Sequence, residues 1–270
     1  MNTITEEGNF TITFPSIEQF YKESDTPEPT GELSEWKRNV DTNDPGWIGL
    51  SNTEINKSKY CYKEGLDKLK EIAEDFNLGG TKRYYKWDET DGDDMNYDRF
   101  LDNLPCLSKR ITKKGGGRGK IITIYVSVGE NCNVGYKDML KRAYTVMRLV
   151  DYLENLNYRT EIIVYSDVAS LGTYKGEAIK TLHTEIVLKK AQEPLIKGLI
   201  LNCISPWMLR HHLFKFWSAK FILNCSYGHA YTPKYIDTNE KIYFRTGECL
   251  TTESCEKRLK ELAKQFGFEE

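Results

Sequence analysis

The chain has 270 residues, and its 38 Lys and Arg nearly balance its 40 Asp and Glu, for a formal net charge of −2 at pH 7. This balance argues against a protein that grips a nucleic-acid backbone along a whole face, since such a face needs a basic excess. No apolar run is long enough to span a membrane, and seven cysteines without a CxxC pair are typical of free thiols in a reducing cytosol, so we expect a globular cytoplasmic protein with no membrane partner.

The first 115 residues predict an irregular α+β region that is rich in loops. The elements are assigned from apolar periodicity and from the residues that start and stop helices. In chain order they are a strand at 9–14, a helix at 17–21, a loop at 23–50, a helix at about 54–76, an acidic turn at 88–94 and a short amphipathic segment at 97–104.

The second part, residues 116–270, carries the clearest pattern. Residues 121–128 are β-branched and apolar on both faces, which is typical of a strand covered on both sides. A helix at 136–156 and a strand at 160–165 follow, which predicts a parallel strand–helix–strand unit with Met147 and Val150 buried. Further predicted elements are strands at 184–188, 198–204, 221–225 and 241–245 and helices at 206–220 and 253–266.

The predicted fold class is therefore α/β, with a Rossmann-like, mostly parallel central sheet and flanking helices. We place a boundary near residue 115, between the α+β region (1–115) and the core (116–270), with a single domain as the alternative.

A basic, glycine-rich loop precedes the central strand and carries Lys113, Lys114, Arg118 and Lys120. A phosphate-binding loop follows a strand and opens a helix, whereas these glycines come before a strand. The pattern favours a flexible connector, and contact with a nucleic-acid backbone is the alternative.

The loop at 129–135 follows the central strand, where open α/β sheets place their ligands. Ser127, Glu130, Asn131 and, at the end of the next strand, Asp167 are therefore the candidate crevice residues. A nucleophile needs a base within hydrogen-bond reach, and the sequence pairs none of the four histidines with these residues. An ordinary turn is the favoured interpretation, so we predict no catalytic residue and no cofactor.

Two further patterns have structural explanations. Structural zinc sites present two close ligand pairs, and Cys203, His211, His212, Cys225 and His229 do not supply them, so no metal site is predicted. The aromatic and basic residues of 206–217 resemble a platform that stacks bases, but Leu209, Leu213 and Trp217 at helical spacing favour a core face.

Two resemblances follow from these blocks. The central strand, the helix that ends at 149–154 and the strand at 161–167 look like the opening of a von Willebrand A-type domain, but Val126 to Glu130 stand where that family has its Asp-x-Ser-x-Ser metal motif. Several blocks in order resemble an uncharacterised family of bacteriophage proteins; they are 47–49, 64–66, 97–101, 104–106, 142–154 and 205–210. The second resemblance implies a viral or mobile-element context and supplies no activity.

We therefore expect a non-enzymatic, phage-encoded scaffold that binds a protein partner, itself expected to be phage-encoded, in the host cytoplasm or in the virion. One alternative is a nucleic-acid-binding protein that uses the basic loop at 113–120. The other is an enzyme with a site in the crevice at 129–135.

Overall fold

The computed structural model describes residues 2–6, 8–24, 44–75, 84–90, 94–95, 97–102, 104–111, 119–174, 177–221, 231 and 233–266. Its strands are β1 (Asn2–Glu6), β2 (Asn9–Phe14), β3 (Tyr84–Asp88), β4 (Asp94–Met95), β5 (Leu107–Ile111), β6 (Ile121–Ser127), β7 (Arg159–Tyr174), β8 (Glu177–Lys189) and β9 (Lys241–Phe244). Its α-helices are α1 (Ile17–Ser24), α2 (Pro45–Ile48), α3 (Asn52–Ser58), α4 (Lys63–Asp75), α5 (Tyr97–Leu101), α6 (Tyr136–Asn155), α7 (Lys197–Cys203), α8 (Phe214–Lys220) and α9 (Thr252–Gln265), and a π-helix covers Met208–Leu213.

The main sheet has six strands in the order β1-β2-β8-β7-β6-β9. The pairs β2–β8, β7–β6 and β6–β9 are parallel, while β1–β2 and β8–β7 are antiparallel. The predicted α/β class with a mostly parallel sheet is therefore confirmed in its coarse form, as a mixed sheet. A second, three-stranded sheet has the order β3-β5-β4 and is wholly antiparallel.

The strand–helix–strand unit predicted at the centre is confirmed. β6 and β7 pair in parallel, with Ile124 opposite Ile162, and Met147 and Val150 of α6 are fully buried. Beyond Tyr165, however, the chain does not cross over again. β7 continues to Tyr174 and pairs with β8 as an antiparallel hairpin, so the Rossmann-like description of the whole sheet stays a prediction. Alternating burial along β8 fits that arrangement, since antiparallel strands commonly bury one face only.

The strand predicted at 9–14 is confirmed as β2 and belongs to the main sheet. Phe10, Ile12 and Phe14 alternate with polar residues and are buried, and β2 pairs in parallel with β8. Residues on both sides of position 115 thus contribute to one sheet, and the domain boundary placed there stays a prediction.

The hydrophobic core lies on one face of the main sheet. It draws from the central strands the residues of a single face, among them Ile122, Ile124, Val126 and Val164, and it includes the buried side chains of α6, α7, α8 and α9. The expectation that β6 is covered on both faces is wrong at Ile121, whose side chain is 44% exposed. We refer to the opposite face, which bears Tyr125, Tyr165 and His183, as the polar face.

The strand predicted at 198–204 is wrong, because these residues form α7. Every residue from Gly198 to Cys203 is buried, and the periodicity of a short, mostly apolar segment does not distinguish a buried helix from a buried strand. The strand predicted at 221–225 lies outside the described residues except for Phe221.

The helix predicted at about 54–76 is two helices, α3 and α4. The chain leaves the first helix after Ser58, and the backbone N–H of Tyr62 donates to the carbonyl of Gly198 in α7 at 3.0 Å. A Cβ on Gly198 would lie 2.7 Å from Sγ of Cys61, so a glycine is needed where these segments meet. This long-range contact, rather than a local signal, divides the predicted helix.

The segment predicted as a helix at 206–220 is helical, and its second turn is a π-helix followed by α8. Trp207, Leu209, Leu213 and Trp217 are all buried in the core. The core interpretation of this aromatic segment is therefore confirmed. The helix predicted at 253–266 is confirmed as α9, which begins with a capping box between Thr251 and Ser254.

Candidate functional site

The crevice at the end of β6 holds a buried ion pair. Glu130 is 4% exposed, Arg142 of α6 is 2% exposed, and Nη2 of Arg142 donates to Oε2 of Glu130. The same carboxylate oxygen accepts the backbone N–H of Gly247 at 3.0 Å. One oxygen of the Glu130 carboxylate therefore accepts from two donors, the guanidinium of Arg142 and the backbone of Gly247.

Arg142 also connects three segments of the chain. Its Nη1 donates to the carbonyl of Ser127 at 2.7 Å, and its Nε donates to the carbonyl of Glu248 at 3.0 Å. The guanidinium thus joins α6 to the end of β6 and to the loop that follows β9. Because each group has a partner, this arrangement holds the fold together rather than presenting a free acid or base.

Two of the other crevice candidates, Ser127 and Asn131, lie close to this pair. Oγ of Ser127 is 2.9 Å from Oγ1 of Thr246, and no histidine or carboxylate of the described residues hydrogen-bonds to it. Asn131 is exposed, and its backbone N–H donates to Oε1 of Glu130 at 3.3 Å. Among the described residues, the hydrogen-bond partner of the Ser127 hydroxyl is thus another hydroxyl rather than a base.

The loop after β6 is held from outside by α2 and the π-helix. The two Nη atoms of Arg210 donate to the carbonyls of Trp47 and Val134 at 2.5 and 2.6 Å, and Nε1 of Trp47 donates to the carbonyl of Cys132 at 3.0 Å. Burial lowers the pKa of Arg210 to about 10, which leaves it charged at neutral pH. The loop at 129–135, predicted as a ligand crevice, is therefore held in place by hydrogen bonds from Arg210 and Trp47.

Asp167 lies on the polar face and binds His183. Its Oδ1 is 2.6 Å from Nδ1 of His183, and Oε1 of Glu185 is 3.0 Å from Nε2 of the same ring. The hydroxyl of Tyr235 donates to Asp167 at 3.2 Å. Burial lowers the pKa of His183, but its hydrogen bonds to Asp167 and Glu185 and their charges outweigh burial and raise it to about 9. The ring is an imidazolium at neutral pH, with both N–H groups engaged.

This cluster predicts a specific pH dependence of stability. A histidine with a folded pKa of about 9, against about 6.5 unfolded, stabilises the fold fully below about pH 6.5 and loses that contribution as the pH rises through 9. We expect the difference in unfolding free energy between wild type and His183→Gln to be largest at pH 6 and to shrink by pH 10. Urea unfolding at a series of pH values measures it, and a difference that does not change with pH would contradict the assignment.

Tyrosines form a ladder on the polar face beside this cluster. The rings of Tyr125 and Tyr243 stack at 4.7 Å, and those of Tyr243 and Tyr235 stack at 4.9 Å with an interplanar angle of 4°. Burial and the nearby Glu185 raise the pKa of Tyr125 to about 12. Since the rings cover each other's faces, Tyr243 presents an edge rather than a face, which does not suit base stacking.

Of the basic loop, the structure describes Lys120, which is exposed. Lys113, Lys114 and Arg118 lie outside the described residues, so their interaction with a nucleic acid stays a prediction. Cys225 and His229 of the zinc hypothesis also lie outside them. Within the part of the chain that is described, no three His, Cys, Asp or Glu side chains are grouped to hold a metal ion.

A surface that the sequence did not identify as a site lies on α5 and the turn after it. Four large apolar side chains point to solvent at the spacing i, i+3, i+4 and i+7. They are Tyr97 (65% exposed), Phe100 (51%), Leu101 (62%) and Leu104 (47%), which we call the apolar stripe. The rings of Tyr97 and Phe100 stack at 6.3 Å. A helix on a protein surface ordinarily buries such a stripe, whereas here it is exposed.

The single cation of this helix fixes its orientation. The guanidinium of Arg99 lies 4.5 Å from the centre of the Trp87 ring on β3, and its Nε donates to the carbonyl of Pro105 at 2.8 Å. The backbone N–H of Leu104 donates to the carbonyl of Arg99 at 2.9 Å and closes the turn. Arg99 thus occupies the inward side of the helix, and the apolar stripe is left on the outside.

Comparison with known proteins gives one match. The model of the family described as Domain of unknown function (DUF7192) matches residues 2–270. No curated protein and no solved structure matches the chain. The likeness to von Willebrand A-type domains and the phage context therefore stay predictions from the sequence. In the described part of the chain, no helix is long and apolar enough to cross a membrane.

Proposed function

We propose that this chain, which belongs to the family of unknown function DUF7192, is a non-enzymatic scaffold that binds another protein through the apolar stripe. The observation that carries the proposal is the outward direction of Tyr97, Phe100, Leu101 and Leu104. Large apolar side chains that stand together on a surface are the usual anchors of a protein interface, since their burial drives association.

The geometry of the crevice agrees with this proposal. Glu130 is neutralised by Arg142, Ser127 pairs with another hydroxyl, and Asp167 binds an imidazolium and a tyrosine. Each of the titratable candidates is engaged by a neighbour in the fold. The resemblance to phage proteins supports a phage-encoded partner and a place in the host cytoplasm or the virion.

Replacing two residues of the stripe is expected to weaken partner binding without unfolding the protein. Phe100 and Leu101 are about half exposed, so burying the rest of each stabilises a complex by roughly 1 kcal/mol, and Phe100→Gln with Leu101→Gln should weaken binding about tenfold or more. Quantitative affinity capture from cells measures the loss. Ile236→Gln is the matched control, because Ile236 is an exposed aliphatic residue (79%) outside the stripe. Equal capture by both variants would contradict the proposal.

A further inference from the structure

Two cysteines meet where the loop after β9 leads into α9. Cys249 and Cys255 are both buried, and both are free thiols. Sγ of Cys255 lies 3.5 Å from the carbonyl oxygen of Cys249, and the thiol of Cys249 donates a hydrogen bond to the sulfur of Cys255. We call these two side chains the dithiol pair. Their sulfurs are neighbours, as the formation of a disulfide requires.

The backbone of Cys249 adopts an uncommon conformation. Its φ is 57°, in the left-handed region that a residue with a β-carbon rarely adopts. The carbonyl of Glu248, on one side, accepts from Nε of Arg142 at 3.0 Å. The carbonyl of Leu250, on the other side, accepts from Nζ of Lys141 at 3.3 Å. Contacts from α6 thus hold Cys249 in a conformation of the kind that is concentrated at functional sites.

The surroundings give the two thiols different acidities. The hydrogen bond from Cys249 and, to a smaller extent, the charges of the two α6 cations outweigh burial and lower the pKa of Cys255 to about 7. Each cation is also paired with a carboxylate, Asp138 or Glu130, which reduces its effect. The same hydrogen bond, together with burial, raises the pKa of Cys249. At neutral pH, Cys255 is therefore partly a thiolate and Cys249 a thiol.

We propose that the dithiol pair is a site of reversible oxidation, at which hydrogen peroxide converts the two thiols into a disulfide. The inference goes beyond the proposed function and does not depend on it. The Cys255 thiolate attacks one peroxide oxygen, and the O–O bond breaks to give a sulfenic acid and hydroxide, which takes up the proton that the thiol lost. The sulfur of Cys249 then attacks the sulfenic sulfur, and the hydroxyl leaves with the Cys249 proton as water. Two thiols and one peroxide thus give one disulfide and two waters.

The burial of the dithiol pair favours a small oxidant. Exchange with a larger disulfide, such as that of glutathione, requires that its sulfur reach the attacking thiolate, and a buried thiolate obstructs this approach. Hydrogen peroxide is close to water in size. Once a sulfenic acid forms at Cys255, the thiol of Cys249 is already in contact with it, so disulfide formation outruns further oxidation to a sulfinic acid. A dithiol reductant reverses the reaction by thiol–disulfide exchange.

The test exposes the full chain to hydrogen peroxide and then alkylates the remaining thiols in denaturant. Trypsin releases residues 246–257 as one peptide, which contains both members of the pair and no other cysteine. We expect this peptide to resist alkylation and to be lighter than its reduced form by two hydrogen atoms, and we expect dithiothreitol to restore both thiols. Cys203 is the internal control, because it is also buried but burial raises its pKa to about 12, so it should stay a thiol.

Single substitutions separate the attacking thiol from the resolving one. Cys249→Ser should leave Cys255 as a sulfenic acid that dimedone labels, whereas Cys255→Ser should leave Cys249 unoxidised. Lys141→Gln should slow disulfide formation in the intact pair by about twofold or more, because it reduces the thiolate fraction of Cys255. Lys260→Gln, which removes an exposed lysine of α9, is the matched control.

Several results would overturn the proposal, and the first needs no variant. One is a peptide 246–257 that stays reduced while the exposed Cys61 and Cys132 are oxidised. Others are a sulfinic acid at Cys255 of the wild type and a disulfide from either member of the pair to a different cysteine. Equal labelling of the two single variants by dimedone would contradict the assignment of Cys255 as the attacking thiol.

Discussion

Arg142→Ala is expected to lower the free energy of unfolding by about 3–5 kcal/mol, because it leaves the buried carboxylate of Glu130 without its charge partner. The substitution also removes the donors to the carbonyls of Ser127 and Glu248. The end of β6 and the loop after β9 are then no longer hydrogen-bonded to the same side chain. Urea unfolding followed by circular dichroism measures the loss.

A double-mutant cycle separates the ion pair from the rest of the side chain. Replacing both partners, as Glu130→Leu with Arg142→Met, should cost much less than the sum of the single changes, because no buried charge is left alone. Arg159→Ala is the control, since Arg159 is exposed and its change should stay within about 0.5 kcal/mol. Additive single effects would show that the pair is not coupled.

Trp207→Ala is the second substitution with a large expected effect. Trp207 is fully buried, its ring meets that of Tyr62 edge to face at 4.9 Å, and its Nε1 donates to Oδ1 of Asn202 at 2.7 Å. Removing a buried tryptophan costs about 3–5 kcal/mol through the lost burial and the cavity left behind. The midpoint of urea unfolding should fall accordingly.

Trp207→Phe keeps the measurement informative if the alanine variant does not fold. Phenylalanine retains much of the ring contact but removes the donor to Asn202, which should cost about 1–3 kcal/mol. Tyr97→Ala is the control, since Tyr97 is 65% exposed and should change stability by less than about 1 kcal/mol. A large loss at Tyr97 would mean that the stripe supports the fold and would weaken its assignment as a docking surface.

The parts of the fold that were predictable have strong local patterns. The spacing of Met147 and Val150 predicted the helix that became α6. The β-branched run at 121–128 predicted the strand β6. The errors arise where contacts between distant segments determine where a helix or strand begins and ends. Gly198 packs against Cys61 and helps to divide α3 from α4, while the extension of β7 beyond Tyr165 depends on its pairing with β8.

The site was less predictable than the fold, for a physical reason. The spacing of Tyr97, Phe100, Leu101 and Leu104 is visible in the sequence, but a spacing does not say whether a stripe faces the core or solvent. The direction in which the stripe faces depends on the contact of Arg99 with Trp87, which lies on β3 of the three-stranded sheet. Similarly, Glu130 was visible as a crevice carboxylate, whereas its partner Arg142 was one polar residue within an amphipathic helix.

Site-specific photocrosslinking tests the docking surface most directly. A benzophenone side chain is placed at position 97, 101 or 104 of the stripe, or at position 236 as the exposed control, and the protein is irradiated in the cells that express it. We predict a discrete adduct from the stripe positions, competed by unlabelled wild type, and none from position 236. Adducts of equal yield at all four positions, or at position 236 alone, would contradict the assignment of the apolar stripe as the protein-binding surface.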